Sequence, residues 1–540
     1  MPRPVPVRGV IEGFYGAPWS HEARLHMIEF IGAHDMNAYV YAPKDDEKHR
    51  ARWRDSYDVQ EAARFAELAA ASARCGVRFG FALSPGLDVG YADPADREAL
   101  TGKLQPLLDL GVDWFVLALD DIPPRAGLAG DQADLATWLL DALRKREPGV
   151  RLTFVPTEYV GTRPSPYLHE LDAGLPDDLD VMWTGPTVCS PRITAEDARG
   201  WRAALGGRPL LLWDNYPVND GAMSRELHLG PYRGRAPDIT DVVDGVLCNP
   251  MIEAHASKIP VAVAAEFLRA PDRFDERAAW ERAIDEVGGS RAPALGTLAR
   301  ACASGPLLAP EELDARALLD TLVVEMDGPG WQAPVSAMRD ELTALRTAGA
   351  AWRDAPDDPL AVEVRRWTTK AALEADAGLA ALRLLQQVRP VAATRADDGD
   401  GCAAAPDADL ALVHVFALLF AWTTVRDASP EVVLGPRFSF HPAVVQLPDG
   451  RAAVDVRLAL CEDASVIDQL CRLALDHYAH WTTLVPEPVR VMTAEREATV
   501  AADGRFNLDH GAVVVLVRSG PLVTRLAGED APPFPDARLS

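Results

Sequence analysis

Short apolar runs alternate with longer helical patterns over the first half of the chain. Between about Val7 and Pro271 there are eight runs rich in β-branched and aromatic residues: VRGVIEGFY, NAYVYAP, VRFGFALSP, DWFVLALDD, RLTFVPTEY, VMWTGP, PLLLWDN and GVLCNP. Segments such as DVQEAARFAELAAASARCG, with apolar residues at helical spacing, lie between most of them. Nearly continuous apolar strands that alternate with helices indicate a parallel sheet covered by helices.

Eight strand–helix units fit a (β/α)8 TIM barrel, whose usual size is about 250 residues. An open doubly wound sheet is the competing α/β architecture. That fold usually carries a glycine-rich phosphate loop after its first strand, and EGFYGAPW lacks the GxGxxG spacing. The connection after the seventh run is longer and more irregular than the others. We therefore predict a catalytic (β/α)8 barrel over residues 1–271.

The second half of the chain has a different pattern. Helical periodicity in PEELDARALLDTLVVEMD and VSAMRDELTALRTAGAAWRD predicts a helical bundle domain over residues 272–427, interrupted by a loop at RADDGDGCAAAPDAD. Further on, FSFHPAVVQLPDGRAAVDVRLAL predicts a hairpin, SVIDQLCRLALDHYAHW a helix and AVVVLVRSGPLVTRL further strands. These segments predict a small α+β or β-rich C-terminal domain over residues 428–540, whose role the sequence leaves open.

Composition and charge narrow the classes of function. The 540 residues carry a formal net charge of −26, and so acidic a surface repels phosphate backbones, which makes nucleic acid an unexpected partner. The seven cysteines show no CxxC pair and no regular spacing. They are therefore interpreted as free thiols of a reducing compartment and not as a disulfide framework. We find neither an apolar signal segment nor an apolar stretch long enough to cross a bilayer. We therefore expect a soluble cytoplasmic protein with no membrane partner, and a homodimer is left open.

Polar and aromatic residues gather where the predicted strands end. The carboxyl ends of barrel strands meet at one rim, where barrel enzymes carry their catalytic groups. Aromatic rings pack on the C–H faces of a sugar, while Asp, Asn and Lys bond its hydroxyl groups. The strand ends therefore predict a site for a carbohydrate-like polyol, built from Gly13–Gly16, Pro43–Asp46, Ser84–Gly86, Asp120–Asp121, Thr157–Tyr159, Trp183–Pro186, Trp213–Asn215 and Asn249–Pro250.

Two adjacent aspartates, Asp120 and Asp121, follow the fourth run. Taken alone, they are consistent with ordinary capping of the next helix. The following IPP ends the strand, so that both side chains can enter one pocket. Two close carboxylates do not both ionise easily, so the pKa of one rises and that group can donate a proton near neutral pH. Magnesium is a rival use of the pair, although no strand end supplies zinc ligands; we expect no metal and no cofactor.

Adjacent carboxylates do not suit an ordinary glycosidase. Such enzymes set two carboxyl groups about 5–10 Å apart across the sugar. Vicinal acids suit instead the substrate-assisted glycosidases, in which the 2-acetamido oxygen of the sugar attacks the anomeric carbon. This reasoning favours a sugar with an acetamido group.

Motifs along the predicted barrel resemble glycoside hydrolase family 84, the family of protein O-GlcNAcases and bacterial β-N-acetylglucosaminidases, some of them called hyaluronidases. The motifs are GVIEGFYGAPW, YVYAPKDDEKHR, SPGLD, LALDDI, PTEY, WTGP, LWDNYPVND, LGPYRGR and CNPMIEAHASKIP, in chain order from about Val7 to Pro260. The resemblance implies a (β/α)8 barrel followed by a helical domain. It also implies a retaining exo-β-N-acetylglucosaminidase that hydrolyses terminal β-linked N-acetylglucosamine from a glycoside or glycoprotein through an oxazoline intermediate.

The resemblance also implies roles for individual residues. Asp120 would bond the acetamido N–H and stabilise the oxazoline, and Asp121 would protonate the leaving oxygen and then activate water. Tyr159 and Trp213 would shape the acetamido pocket. The other residues expected to bind substrate are Gly13, Tyr15, Lys44, Asn215, Asp220 and Asn249.

Each of these positions has a structural alternative. In the structural interpretation, Gly13 would serve a turn, Trp213 would belong to the core and Asn249 would cap the last barrel helix. Lys44 would lie in a solvated charge run, KDDEKHR. The alternative functions are a related barrel glycosidase acting on hyaluronan-type fragments and an inactive sugar-binding protein. The intact aspartate pair favours an enzyme over a lectin. The natural aglycone, whether protein Ser/Thr, a glycan end or a wall fragment, does not follow from the sequence.

Overall fold

The structure is a computed structural model that describes residues 4–308, 314–326, 328–352, 358–394, 408–428, 432–435, 444–446, 452–454, 465–484, 490–492, 497–499, 515–516 and 523–524. The chain divides into two compact units. The first comprises Met1–Pro310 with Asp357–Val364, and the second comprises Glu311–Pro356 with Arg365–Ser540.

Eight parallel strands in the first unit close into a barrel in chain order, and β1 pairs with β8 to complete it. The strands are β1 (Val7–Glu12), β2 (Ala38–Tyr41), β3 (Arg78–Leu83), β4 (Trp114–Ala118), β5 (Arg151–Val155), β6 (Asp180–Trp183), β7 (Leu210–Asp214) and β8 (Gly245–Cys248). Seven of them lie within the predicted runs, and β6 begins one residue before its run. The predicted (β/α)8 barrel is therefore confirmed.

Helices follow most of the strands and begin at residues suited to capping. They are α1 (His21–Ala33), α2 (Val59–Arg74), α3 (Pro94–Asp109), α4 (Leu128–Arg144), α5 (Pro166–Gly174), α6 (Ala195–Ala204) and α7 (Lys258–Arg269). Asp58 caps α2 in a reciprocal arrangement with Glu61, which satisfies backbone N–H groups that a helix start leaves free. The irregular connection after β7 contains only two short 3₁₀ segments, Gly221–Met223 and Pro237–Asp241.

The barrel interior is a packed apolar core. Every one of the eight strands contributes to it. Its buried residues include Ile11, Val40, Ala82, Trp114, Val116, Val155, Met182, Leu211 and Leu247. The indole N–H of Trp114 finds a partner inside the core by donating to the hydroxyl of Thr153 at 2.9 Å. Because apolar side chains fill the interior, the polar strand-end residues are left at the carboxyl rim.

A helical region follows the barrel, as predicted. Its helices are α8 (Glu276–Gly288), α9 (Ala292–Ala301), α10 (Asp314–Glu325), α11 (Gln332–Ala351), α12 (Pro359–Thr394) and α13 (Ala408–Ala428), with 3₁₀ segments at Pro271–Arg273 and Gly289–Arg291. Most of the loop predicted at RADDGDGCAAAPDAD lies outside the described residues. Within the described residues, no helix is both long enough and apolar enough to cross a membrane.

Short antiparallel strand pairs and one helix are described near the C-terminus. Strand β9 (Val444–Gln446) pairs with β10 (Ala452–Val454), β11 (Arg490–Met492) with β12 (Glu497–Thr499), and β13 (Val515–Leu516) with β14 (Val523–Thr524). Helix α14 spans Val466–Leu484. The first pair and the helix agree with the predicted hairpin and helix, whereas the Pro-Asp-Gly turn lies outside the described residues. The division into three domains at residues 271 and 427 stays a prediction.

Candidate active site

The two aspartates leave β4 in different backbone conformations. Strand β4 ends at Ala118, and Asp121 has a φ of +53°. Left-handed backbone is uncommon for a residue other than glycine, although Asp tolerates it better than most. The strand therefore ends before the two aspartates, so their side chains are not held to opposite faces of the sheet.

Asp120 forms a buried ion pair with Lys44. The Nζ of Lys44 lies 2.6 Å from Oδ2 of Asp120, and the two side chains are only 2% and 9% exposed. The same amine lies 5.6 Å from the ring centre of Trp213. Lys44 is therefore buried beside Asp120, and the alternative of a solvated charge run is wrong for this residue. The other oxygen of Asp120, Oδ1, is buried and has no hydrogen-bond partner among the described residues.

Asp121 accepts hydrogen bonds from two tyrosines. The hydroxyl of Tyr15 donates to Oδ2 at 2.7 Å, and the hydroxyl of Tyr159 donates to Oδ1 at 2.6 Å. Burial raises the pKa of Asp121, but the two hydroxyls and the charges of Lys44 and Arg50 outweigh it, so this pKa lies below the ordinary value. Burial and the Asp121 carboxylate raise the pKa of both tyrosines, which keeps them as donors.

This result corrects one expectation from the sequence. Repulsion between adjacent carboxylates predicted a raised pKa for one of them, and Asp121 does not show it. The reason is that Asp120 and Asp121 do not share a proton or a partner. Each carboxyl group binds its own donors, Lys44 for one and the tyrosine pair for the other. Donors to the charged form favour ionisation of Asp121.

A chain of hydrogen bonds forms another wall of the site. The indole N–H of Trp213 donates to Oδ1 of Asn215 at 3.0 Å, and Nδ2 of Asn249 donates to the same oxygen at 2.9 Å. Oδ1 of Asn249 accepts from the backbone N–H of Gly13 at 3.1 Å. A Cβ on Gly13 would lie 2.2 Å from the Trp213 ring, so glycine is required there by close packing. Asn249 joins strands β1, β7 and β8 and does not cap α7, which is preceded by Ser257.

Asp220 reaches the site from the long connection after β7. Its Oδ2 accepts the backbone N–H of Tyr15 at 2.8 Å. Burial and the Asp121 carboxylate raise the pKa of Asp220, against the hydrogen bond from Tyr15. The connection is held at its base by Asp214, which is fully buried and bonds the guanidinium of Arg235 and the hydroxyl of Tyr232. This buried network positions the loop that carries Asp220.

Sequence reasoning missed His49 and Arg50, which lie in the turn after β2. Arg50 donates to the backbone carbonyl of Asp121 at 3.4 Å, and His49 bonds the backbone at the end of β3. Both residues are buried. The sequence signal that could have found them is their place in the motif YVYAPKDDEKHR, which resembles the family. Within the described ranges, no group of three or more His, Cys, Asp or Glu side chains is arranged to hold a metal ion.

Comparison with known proteins identifies the family. A family model described as beta-N-acetylglucosaminidase matches residues 8–300, which is more than half of the chain. The chain belongs to this β-N-acetylglucosaminidase family. The family is glycoside hydrolase family 84, which the sequence motifs resemble, and the match extends over the barrel and α8 and α9.

Individual relatives of this family member are O-GlcNAcases. The proteins named "Protein O-GlcNAcase" from Rattus norvegicus and Mus musculus are each 34% identical to it over 276 residues, which is 48% of this chain and 30% of theirs. The match thus spans about a third of the length of these curated relatives. A solved structure of a Thermobaculum terrenum O-GlcNAc hydrolase mutant has a TM-score of 0.70 and 28% identity, and the alignment covers 88% of this chain and 96% of that one.

In this β-N-acetylglucosaminidase family member, the structure brings every predicted site residue into one connected set. The Lys44–Trp213 ring contact joins the aspartate side of the site to the asparagine wall, and the backbone of Tyr15 joins Asp220 to Asp121. The connected residues are Gly13, Tyr15, Lys44, Asp120, Asp121, Tyr159, Trp213, Asn215, Asp220 and Asn249.

Proposed function

We propose that the chain is a retaining exo-β-N-acetylglucosaminidase. It hydrolyses terminal β-linked N-acetylglucosamine, as an O-GlcNAcase does, by substrate-assisted catalysis. The observation that carries this proposal is the state of Asp120: one carboxylate oxygen is held by Lys44, and the other is buried without a partner among the described residues. A buried acceptor of this kind suits an amide N–H donor from a ligand. Membership of the family supports N-acetylglucosamine as the sugar.

In this mechanism, Asp120 orients the nucleophile. Its free Oδ1 accepts the acetamido N–H of the sugar, which turns the acetamido oxygen toward the anomeric carbon. That oxygen forms a bond to the anomeric carbon as the bond to the leaving oxygen breaks, and a bicyclic oxazoline results. The positive charge that develops on the acetamido nitrogen is stabilised by the Asp120 carboxylate, which is already in place.

Asp121 transfers the proton in both steps. It donates a proton to the leaving oxygen, and as a carboxylate it then removes a proton from the water that opens the oxazoline. Two inversions at the anomeric carbon give overall retention. In the free protein the tyrosine hydroxyls favour the charged form of Asp121. Substrate that displaces these donors and excludes water raises the pKa of Asp121 toward the value that a proton donor needs.

The remaining residues hold the sugar. Trp213 and Tyr159 offer aromatic surface for the acetamido group, and both pack against the barrel core. Asn215, Asn249 and Asp220 carry side-chain acceptors and donors for sugar hydroxyls. Hydrogen bonds fix Asn215 against Asn249, and Asp220 against the backbone of Tyr15, so these side chains are held in place before substrate binds.

Hydrolysis of an aryl N-acetyl-β-glucosaminide tests this function. We expect release of the phenol, and proton NMR of the released sugar should show retention of configuration. The matching aryl β-glucoside, which lacks the acetamido group, should not be hydrolysed. Asp120→Asn serves as the inactive control. Binding of N-acetylglucosamine without turnover would instead indicate a sugar-binding protein. Turnover of hyaluronan fragments with no release of single N-acetylglucosamine residues would favour the related glycosidase.

We further propose that the enzyme works in the cytoplasm on a glycoside or glycoprotein and that its barrel, helical and C-terminal regions are three domains. The absence of CxxC spacing among its cysteines supports a reducing compartment. Expression of a tagged protein in a native host, with fractionation and limited proteolysis, tests the location and the boundaries.

A further inference from the structure

Arg50 is a buried cation whose place in the site is unusual. Its residue exposure is 9%, and no carboxylate among the described residues lies within ion-pair distance of it. Its Nη2 donates to the backbone carbonyl of Asp121 at 3.4 Å, and its Nη1 donates to the hydroxyl of Ser84 at 3.5 Å. Its guanidinium carbon lies 5.7 Å from the ring centre of Tyr15. A charge held in this way is costly unless it compensates another charge nearby.

The turn that carries Arg50 is anchored to the end of β3. The backbone carbonyl of His49 accepts the N–H of Ser84 at 3.0 Å. Nδ1 of His49 bonds the carbonyl of Ala82 at 2.8 Å. Burial and the charge of Lys44 lower the pKa of His49 to about 3, so the imidazole is neutral at pH 7 and its Nδ1–H is the donor. Hydrogen bonds to the end of β3 therefore fix the turn that carries Arg50.

Arg50 donates its hydrogen bond to Asp121, a residue with an unusual backbone conformation. Asp121 has the left-handed φ of +53°, a conformation that is unfavourable for most residues other than glycine. We propose that Arg50 is a positioning residue for the acid–base group of Asp121: it holds the Asp121 backbone through the carbonyl, and its positive charge acts on the carboxylate from beyond ion-pair distance. This inference rests on the proposed function, in which Asp121 transfers the proton.

The other charged and titratable groups around Asp121 do not replace Arg50. Lys44 is committed to Asp120, with which it forms the buried ion pair. Asp220, which faces the site from the loop after β7, is acidic. Tyr15 and Tyr159, from the loops after β1 and β5, are neutral donors. The hydroxyls of Tyr159 and Tyr15 and the charge of Lys44 lower the pKa of Asp121, and the charge of Arg50 adds to this effect. Of these groups, Arg50 is the one that also holds the Asp121 backbone.

Substitutions of Arg50 separate its charge from its hydrogen bonds. Arg50→Met removes both, so we expect kcat/KM for an aryl N-acetyl-β-glucosaminide to fall roughly tenfold or more. The fall of kcat/KM at high pH, which reports loss of the Asp121 proton, should move to higher pH, because the pKa of Asp121 rises without the cation. Arg50→Lys keeps the charge and should keep the wild-type pH profile, with a lower rate because an ammonium group does not match the two acceptors. Arg52→Met is the matched control, since Arg52 lies in the same turn with 56% of its side chain exposed.

A second readout does not depend on turnover. Aspartate carboxyl groups labelled with ¹³C are titrated by NMR, and Asp121→Asn identifies the Asp121 signal. We expect this signal to titrate at higher pH in Arg50→Met, and also in Arg50→Gln if the methionine variant does not fold. A wild-type protein that hydrolyses no glycoside would refute the proposed function, while this titration would still decide the role of Arg50. An unchanged titration, or a uniform loss of rate with no change in pH profile, would overturn the inference.

Discussion

The Lys44–Asp120 ion pair offers a direct test of how the site is held. Lys44→Met removes the charge and keeps a side chain of similar length. In the structure the two charged atoms are 2.6 Å apart, with side chains 2% and 9% exposed. Removing the amine leaves Asp120 with no hydrogen-bond partner on either carboxylate oxygen within the described part of the chain, because Oδ1 already has none.

The expected loss of stability follows from this burial. Breaking a buried ion pair by removing one partner costs about 3–5 kcal/mol, whereas replacing both partners by neutral groups is often nearly neutral. We expect Lys44→Met to lower the free energy of unfolding by about 3 kcal/mol, at the low end because water can reach Asp120 once the amine is gone. The double variant Lys44→Met/Asp120→Asn should recover most of this loss, since no uncompensated charge remains.

Activity should not recover with stability. Both Lys44→Met and the double variant leave the acetamido group without a correctly held carboxylate, so kcat/KM should fall on the order of 10²-fold. The loss should be similar for aryl glycosides with good and poor leaving groups, because Asp121 is still present to donate the proton. Recovery of stability without activity would show that the charge pair is needed for catalysis and not for folding.

The assay is urea unfolding followed by far-UV circular dichroism, with kcat/KM measured on the same preparations and Asp120→Asn completing the cycle. Lys48→Met is the matched control. The Lys48–Glu61 pair has the same 2.6 Å separation, but its side chains are 19% and 33% exposed, so its loss should change stability little. The reasoning is refuted if Lys44→Met unfolds at the wild-type urea concentration. It is also refuted if the double variant loses the sum of the two single losses.

Three further substitutions probe the proposed roles. Asp121→Ala should lower kcat/KM by about 10²–10⁴-fold for glycosides with poor leaving groups and much less for activated aryl glycosides. Asp120→Ala should lower kcat/KM equally for the two classes of substrate. A steeper leaving-group dependence for Asp120→Ala would reverse the assignment. Tyr159→Phe removes a donor to the charged form of Asp121, so its pKa should rise and the high-pH fall of kcat/KM should move to higher pH; a fall at lower pH would contradict this sign. Gly13→Ala places a Cβ 2.2 Å from Trp213 and should displace that ring, which would raise KM and lower the melting temperature, with Gly102→Ala, at an open position, as the control.

The architecture and the grouping of the candidate site residues could be predicted from the sequence. Period and composition are local properties, so eight apolar runs separated by helical segments were enough to predict the closed barrel. The rule that barrel enzymes carry their groups at the carboxyl ends of the strands then selected residues such as Lys44, Asp120, Tyr159 and Asn249, which the structure brings together. The family resemblance supplied their roles, which remain proposals.

The partners of each residue were decided only by the tertiary structure. Asp121 binds hydroxyls 106 and 38 residues away along the chain, and Gly13 bonds Asn249 across 236 residues. The unexpected direction of the Asp121 pKa shift and the role inferred for Arg50 depend on these contacts. Hydrogen bonds and charge interactions at site distances change steeply with an ångström or two of displacement. Such distances are set by how several strands and loops pack together, which a linear pattern of residue types does not specify.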